Sequence, residues 1–563
     1  MTSSKPSATP WPWEASYPSD IAWNTHIPTY PLYELLNRTV KAYPLQPAMD
    51  FMDKIWRWDQ IGAGADHLAI ALQNIGIGKG SRVGICLPNT PYFLMSYFGI
   101  AKTGATIVHF NPLYAEREMA QQIESSQCDI IITLDLKILY SKLAKMLKTT
   151  RLNQLIICRF SALLPFPKNI LFNVARFFDI AHIPHDDRHI PWDRLMRSLG
   201  PLREVPIDPE HDIALLQYTG GTTGLPKGAK LTHANITANA EQAATWFKAR
   251  DGHDKMLGVI PFCHVFAMTA VMNLAVRRGF QIIATPRFEL RDTLRLIDKK
   301  KPQIFPAVPA IFNAITTNAD VAAGQYDLTS LVYCVSGGAP LPVEVKRKFE
   351  GTTGCVLVEG YGLTESSPIV CVNPTTGDNR AGSIGLPLPQ TIVEIVDPAT
   401  GQTMPAGERG EVCVRGPQVM QGYWQKPDDT AKVLRDGRLH TGDIGIMDAD
   451  GYVYIVDRLK DMIITNGYNV YPRNVEEAIY EHPAVEECVV AGLPDAKRGE
   501  VIKTWIKCRS GAALNERDVL DFLKSRLSPM EMPKIIEFRQ NPLPKTMIGK
   551  LSRKDLLAQE KNL

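Results

Sequence analysis

Apolar positions recur at helical spacing over Asp59–Ile75 and Pro91–Thr103, and short apolar runs alternate with these stretches. The runs are Arg82–Pro88, Ala105–Phe110, Asp129–Thr133 and Gln154–Cys158. Short apolar strands separated by helices predict parallel sheets covered on both faces. A second round follows further on, with strands expected at Lys255–Ile260, Gln281–Ala284, Ile304–Ala307 and Leu331–Val335. After about Ile384 the pattern changes. Thr391–Val396 and Gly410–Gly416 alternate between apolar and polar positions and are separated by Asp, Pro and Gly, which predicts a small antiparallel β unit. Beyond Arg458 a compact stretch has its own helices (Pro472–His482, Asn515–Ser525) and strands (Glu487–Gly492, Ile502–Cys508), as a separate domain would.

One run stands apart. Met256–Val276 carries no formal charge over 21 residues, long enough to span a bilayer. Pro261, His264, Thr269 and Asn273 interrupt it, so a strand end, a His-bearing turn and a core helix is the better reading.

With 563 residues the chain exceeds one hydrophobic core. Its 45% hydrophobic and 21% charged residues are those of a soluble globular protein, and a net charge of +3 is too small to argue for nucleic acid. The ten cysteines form no C-x-x-C pair, which suits a reducing cytoplasm rather than a zinc site or a disulfide framework. Met1–Pro10 has no apolar centre and reads as a disordered tail rather than a signal peptide. We expect a tail over 1–20, a large domain over 21–457 and a mobile C-terminal domain over 458–563.

The chemistry concentrates in Leu216-Gln-Tyr-Thr-Gly-Gly-Thr-Thr-Gly-Leu-Pro-Lys-Gly228. Glycines let backbone N–H groups approach a phosphate closely, threonines add neutral donors and Lys227 adds positive charge. The loop is not a Walker A motif, because Pro226 precedes Lys227 and Gly228 follows it. Downstream lie Glu359-Gly-Tyr-Gly-Leu-Thr-Glu365, Leu439-His-Thr-Gly-Asp-Ile-Gly445, Ile455-Val-Asp-Arg-Leu-Lys-Asp461 and Leu543-Pro-Lys-Thr-Met-Ile-Gly-Lys550.

Taken together, in this order and over nearly the whole chain, these motifs resemble the adenylate-forming superfamily of acyl-CoA synthetases, luciferases and peptide-synthetase adenylation domains. The resemblance implies an α/β fold. Its large N-terminal domain has two doubly wound sheets plus a small β unit, hinged to a small α+β C-terminal domain. It implies that Thr219, Gly220, Gly221, Thr222, Thr223, Gly224 and Lys227 cradle pyrophosphate. Thr364 would bond the α-phosphate, Glu365 would hold Mg²⁺, and Tyr361 would lie along the adenine beside Gly360. Asp443 and Arg458 would meet the ribose, though an ordinary surface ion pair is the competing reading. Gly337, Gly338 and Ala339 would line the adenine and acyl pockets, with His264 at the mouth of the acyl pocket. Lys550 would serve adenylation from the small domain, Lys460 would be the hinge and Gly467 would line the pantetheine channel.

The implied activity converts a fatty acid, ATP and CoA to acyl-CoA, AMP and pyrophosphate, and the motifs look most like bacterial long-chain fatty acid–CoA ligases. Asn466, Tyr468 and Leu459 depart mildly from that group. Medium-chain, dicarboxylic and aryl acids stay open as substrates. The chain ends soon after Lys550 with no carrier domain, which disfavours a peptide-synthetase module. A regulator with the same fold would be expected to lack Glu365 or Lys550, and both are present. From Arg458 on there are 18 Lys and Arg against 15 Asp and Glu, an excess equal to the chain's +3 and suited to an anionic ligand such as CoA. No nucleic-acid partner is expected, and a homodimer is left open. Leu163–Ala181 places Ile170, Leu171, Val174, Phe177, Phe178 and Ala181 at helical spacing. It would lie on the inner face of the membrane, line the acyl path, or pack on its own domain.

Overall fold

The computed structural model describes residues 10–198, 200–219, 226–459, 461–465, 468–495, 498–546 and 551–560. Two large sheets form the N-terminal domain. In the seven-stranded sheet Arg82–Ile85 lies parallel to Thr106–His109 on one side and to Ile130–Leu134 on the other. Ile130–Leu134 is buried throughout, as its unbroken apolar run requires of a strand covered on both faces. The sheet ends in an antiparallel hairpin that pairs Ile213–Thr219 with Lys227–Thr232. The expected phosphate loop lies between these two strands, and residues 220–225 fall outside the described ones.

The nine-stranded sheet carries Lys255–Gly258, Gln281–Ala284, Ile304–Ala307, Tyr333–Ser336 and Val356–Gly362 in parallel. An early hairpin, Pro47–Phe51 with Lys54–Arg57, crosses over to extend this sheet beside Gln281–Ala284. That placement has no local signal, because its partner strand is far along the chain. Between the sheets lies Pro91–Lys102, a helix with every residue buried. The charge-free run resolves into the strand Lys255–Gly258, a turn and helical turns from Val265 to Arg278. No helix among the described residues is long and apolar enough to cross a membrane.

Ile392–Val396, Arg409–Arg415, Arg438–Met447 and Val453–Arg458 form most of the small antiparallel sheet. After Arg458 a mixed five-stranded sheet, with helices Pro472–Tyr480 and Glu516–Leu523, encloses its own core around Val475, Ile479, Ile502 and Leu523. A separate core is the physical mark of a separate domain.

One expectation changes. Residues 10–20 of the expected tail are not a free tail, because Trp13 is fully buried and stacks on Trp11 at 5.1 Å. A Cβ at Gly451 would come within 2.4 Å of the Trp13 backbone, so the large domain is shaped around this residue. The segment Leu163–Ala181 contains the helix Lys168–Ala175 and the turn Phe177–Asp179, and neither buries a residue. The segment packs on its own domain through Leu163, Leu164, Phe172 and Ala181, while Ile170, Leu171, Val174, Phe177 and Phe178 stay exposed.

Candidate active site

The sequence-flagged residues converge at the carboxyl ends of the parallel strands, where open α/β sheets bind ligands. Thr219 ends Ile213–Thr219, Gly337 follows Tyr333–Ser336, and Tyr361 ends Val356–Gly362. One cleft of about 2450 Å³ is lined by Thr219, Lys227, His264, Gly337, Gly338, Ala339, Gly360, Tyr361, Thr364, Glu365, Asp443 and Arg458. A single small-molecule site is usually about 300–1,000 Å³, so this volume has room for several ligand segments.

Asp443 and Arg458 are directly opposite each other on neighbouring antiparallel strands. Their side chains meet at 3.3 Å, and Tyr361 donates its hydroxyl to Asp443 Oδ2 at 2.5 Å. Asp443 is only 7% exposed, whereas the Arg458 side chain is 43% exposed, so the pair joins a buried carboxylate to a partly exposed guanidinium at the cleft wall. Burial and the Asp443 carboxylate push the Tyr361 phenol well above its usual range, which keeps it a donor.

Thr364 and Glu365 sit in a short turn, Thr364–Ser366. Tyr423 donates to Glu365 Oε1 at 2.6 Å and holds that carboxylate in place. Among the described residues no Lys or Arg is ion-paired with Glu365, whereas Lys227 pairs with Asp429 at 3.0 Å. An anchored carboxylate lining the cleft with no Lys or Arg ion-paired to it among the described residues suits a hard divalent ion, which asks for few protein oxygens when phosphates supply the rest. Gly362 has a steric cause: a Cβ there would lie 1.9 Å from the Pro368 carbonyl oxygen. At Gly360 a Cβ would meet only ordinary contacts, so its glycine is not demanded by space.

His264 caps the turn beginning at Val265, its Nδ1 accepting from the Phe266 N–H at 3.3 Å. Nδ1 as acceptor leaves the proton on Nε2, and burial lowers the imidazole pKa to about 4, so the ring is neutral at pH 7. Gln217 donates to the Cys263 carbonyl at 2.9 Å, tying this turn to the strand that ends at Thr219. The cleft lining also includes the apolar side chains of Ala270, Leu274, Ile304, Val335, Ile369 and Val372. No residue of 163–181 lines the cleft among the described residues, so the reading in which that segment lines the acyl path is set aside.

Sequence reasoning missed Glu359. It is buried in the middle of Val356–Gly362 and accepts from the Leu341 N–H at 3.1 Å. Burial raises its pKa to about 7, and Arg473 counteracts part of that rise. The signal was available, because a carboxylate directly before Gly-Tyr-Gly follows an apolar run. Also missed was a buried trio whose Glu411, Cys413 and His440 donor atoms lie within 4.8 Å of one another. The Arg435 guanidinium sits 3.1 Å from His440 Nδ1 and 3.6 Å from Glu411, so a side-chain cation already balances this carboxylate.

The small domain forms the opposite wall through Arg473, Lys545, Thr546 and Leu551 to Asp555. Arg473 donates from Nη1 to the Ile455 carbonyl at 2.6 Å and from its backbone N–H to Asp457 at 2.8 Å. Arg553 pairs with Asp461 at 2.7 Å and Glu476 at 2.8 Å. Gly220, Gly221, Thr222, Thr223, Gly224, Lys460, Gly467 and Lys550 lie outside the described residues.

Comparison with known proteins agrees with this architecture. The AMP-binding enzyme family matches residues 36–424, and the AMP-binding enzyme C-terminal domain matches 474–550. A long-chain-fatty-acid–CoA ligase of Bacillus subtilis (strain 168) is 46% identical over 554 residues, covering 98% of each chain. One from Escherichia coli O157:H7 is 35% identical over 555 residues, covering 97% of each. Among solved structures, ATP-bound MatB from Rhodopseudomonas palustris superposes with a TM-score of 0.82 at 25% identity, covering 94% of this chain and 99% of that one. The anthranilate CoA ligase AuaEII in complex with anthranoyl-AMP gives 0.83 at 25% identity, covering 96% and 99%. A cleft at the strand ends, two domains meeting across it and family matches to both domains lead to one conclusion: the chain belongs to the AMP-binding enzymes.

Proposed function

We propose that this enzyme is a long-chain fatty acid–CoA ligase that forms an acyl-adenylate and then an acyl-CoA. In the first step a carboxylate oxygen of the acid attacks the α-phosphorus of ATP, and the bond to pyrophosphate breaks. Thr219–Lys227 holds the departing pyrophosphate, Thr364 bonds the α-phosphate, and Asp443 and Arg458 fix the ribose. Glu365 holds Mg²⁺, which offsets phosphate charge when bound. Lys550 supplies positive charge from the small domain. Neutral His264 donates to the acid's carboxylate without competing for it as a cation. In the second step the small domain turns about Lys460, Lys550 withdraws and Gly467 lines the channel for CoA. The thiol sulfur then attacks the acyl carbon, its proton leaves, and AMP departs. Such alternation lets one site run two reactions.

The observation that carries this reading is the 46% identity to a long-chain-fatty-acid–CoA ligase over 98% of each chain, and apolar side chains such as Ala270, Leu274, Ile304 and Val335 in the cleft lining suit an alkyl chain. Acid-dependent ATP–pyrophosphate exchange across C2 to C18 monoacids and diacids tests it. Highest kcat/KM at long monoacids is expected, and a maximum at medium-chain acids, diacids or aryl acids would replace the substrate assignment.

A peripheral contact with the inner face of the membrane belongs to the same reading. Phe166, Ile170, Leu171, Val174, Phe177 and Phe178 are each at least half exposed and lie within one short stretch, with Phe178 at 82%. Phe172 packs on Phe160 at 4.8 Å, and Lys168 pairs with Asp53, so the stretch is anchored while its apolar face is not. Side chains of this kind at a helix surface favour the headgroup–acyl boundary. Paired Phe177→Ser and Phe178→Ser should abolish sedimentation with anionic liposomes at an unchanged melting temperature. Unchanged sedimentation refutes the contact, and loss of a dimer in the variant would assign the face to a second copy of the chain.

A further inference from the structure

We infer that Glu411 is a positioning residue for the nucleotide, acting by holding the bulge that presents Asp443. The inference rests on Asp443 as the ribose ligand. Arg409–Arg415 and Arg438–Met447 are antiparallel, with Glu411 opposite Ile444 and Cys413 opposite His440. Between those pairs one strand has Val412 alone while the other has Thr441, Gly442 and Asp443. The extra residues form a bulge, a device that re-aims a side chain at the cost of ladder hydrogen bonds. Gly442 takes φ +72° there, a conformation open to glycine.

Glu411 closes the base of the bulge. Its Oε1 accepts the Gly442 N–H at 3.0 Å, and its Oε2 faces His440 Nδ1 at 2.7 Å. Thr441 donates its hydroxyl to the Val412 carbonyl at 2.7 Å and accepts the Asp443 N–H at 3.1 Å. Glu411 and His440 are both buried, so no water competes for these contacts. The carboxylate therefore replaces the ladder bonds that the bulge removes and fixes where Asp443 stands. It is not among the residues lining the cleft, and its charge is balanced by Arg435.

The test measures pyrophosphate exchange with ATP and with 2′,3′-dideoxy-ATP, which offers Asp443 no hydroxyl. Glu411→Ala should raise the KM for ATP by about tenfold, as loss of an interaction made in both ground and transition states does, with little change in kcat. It should leave the KM for dideoxy-ATP within about twofold of wild type. Glu411→Gln, whose amide oxygen still accepts from Gly442, should recover most of the loss. Glu411→Asp keeps the charge but shortens the reach, and should show the same preference for dideoxy-ATP. This arm decides the matter if the alanine variant does not fold. Asp443→Ala runs alongside. If Asp443→Ala distinguishes the two nucleotides and the Glu411 variants do not, Glu411 has no positioning role. If Asp443→Ala fails to distinguish them, the ribose assignment falls and this inference falls with it.

Discussion

The two walls of the cleft are built differently. On the large-domain side the functional side chains hold one another. Tyr361 donates to Asp443, Arg458 pairs with it across two strands, and Tyr423 fixes Glu365. On the small-domain side Arg553 is tied to Asp461 and Glu476 within its own domain. Among the described residues the small domain meets the large one through Arg473, to Ile455 and Asp457, through the Leu459 N–H to the Gly442 carbonyl, and through Tyr471, whose ring lies 5.3 Å from the Arg409 guanidinium. One wall is preorganised by internal hydrogen bonds. Among the described residues the other is joined to the large domain by polar contacts, each worth about 0.5–1.5 kcal/mol net. A wall held so lightly can be exchanged for another at small cost.

The largest expected effect comes from the small-domain wall. Lys550→Ala should lower pyrophosphate exchange by about 10²–10³-fold, the scale of losing one charge-stabilising donor, while sparing CoA transfer from supplied acyl-adenylate. Equal loss in both half-reactions would show that this wall is not exchanged. Gly467→Leu should do the reverse, blocking thioester formation with exchange near wild type, and Lys460→Pro should match it because proline removes the φ freedom a pivot needs. Normal overall turnover in the proline variant moves the pivot elsewhere.

The fixed wall is probed by Glu359→Gln. In the wild-type protein a carboxyl with its pKa raised from 4.5 to about 7 contributes stability that is complete below pH 4.5 and is lost as pH rises through 7. The loss is on the order of 3 kcal/mol. The variant's melting temperature should therefore fall less between pH 5 and pH 8, about the window these values set, than the wild type's. Parallel curves would place the titration elsewhere. Smallest is Arg473→Ala, which removes the contact to Ile455. It should reduce pyrophosphate exchange about threefold and leave CoA transfer from supplied adenylate unchanged. Unchanged exchange would mean that Arg473 does not bias the domain orientation.

Much of this molecule is legible along the chain. Gln154–Cys158, Gln281–Ala284 and Ile304–Ala307 are strands with the expected bounds, because each is a continuous apolar run that only a doubly covered sheet satisfies. Asp443 and Arg458 were flagged by motif, and the structure adds the reason they meet, a shared register. Trp13 was misread because a short segment with Pro on either side has no periodicity, and its burial depends on a pocket formed around Gly451.

Residue order marked the candidate groups for the chemistry, since a Gly- and Thr-rich loop, a Thr-Glu pair and the Gly549-Lys550 pair are local facts of composition and spacing. It also settled the strands and helices, since apolar period is a local property. Packing settled the rest. Helix Pro91–Lys102 and the stretch 166–178 are both rich in large apolar side chains, yet every residue of the first is buried while six apolar side chains of the second face out. The difference is whether another element lies opposite, and that is a long-range matter. Glu411 illustrates it again: its partner Gly442 lies 31 residues away, and no local pattern announces that a carboxylate will span a bulge.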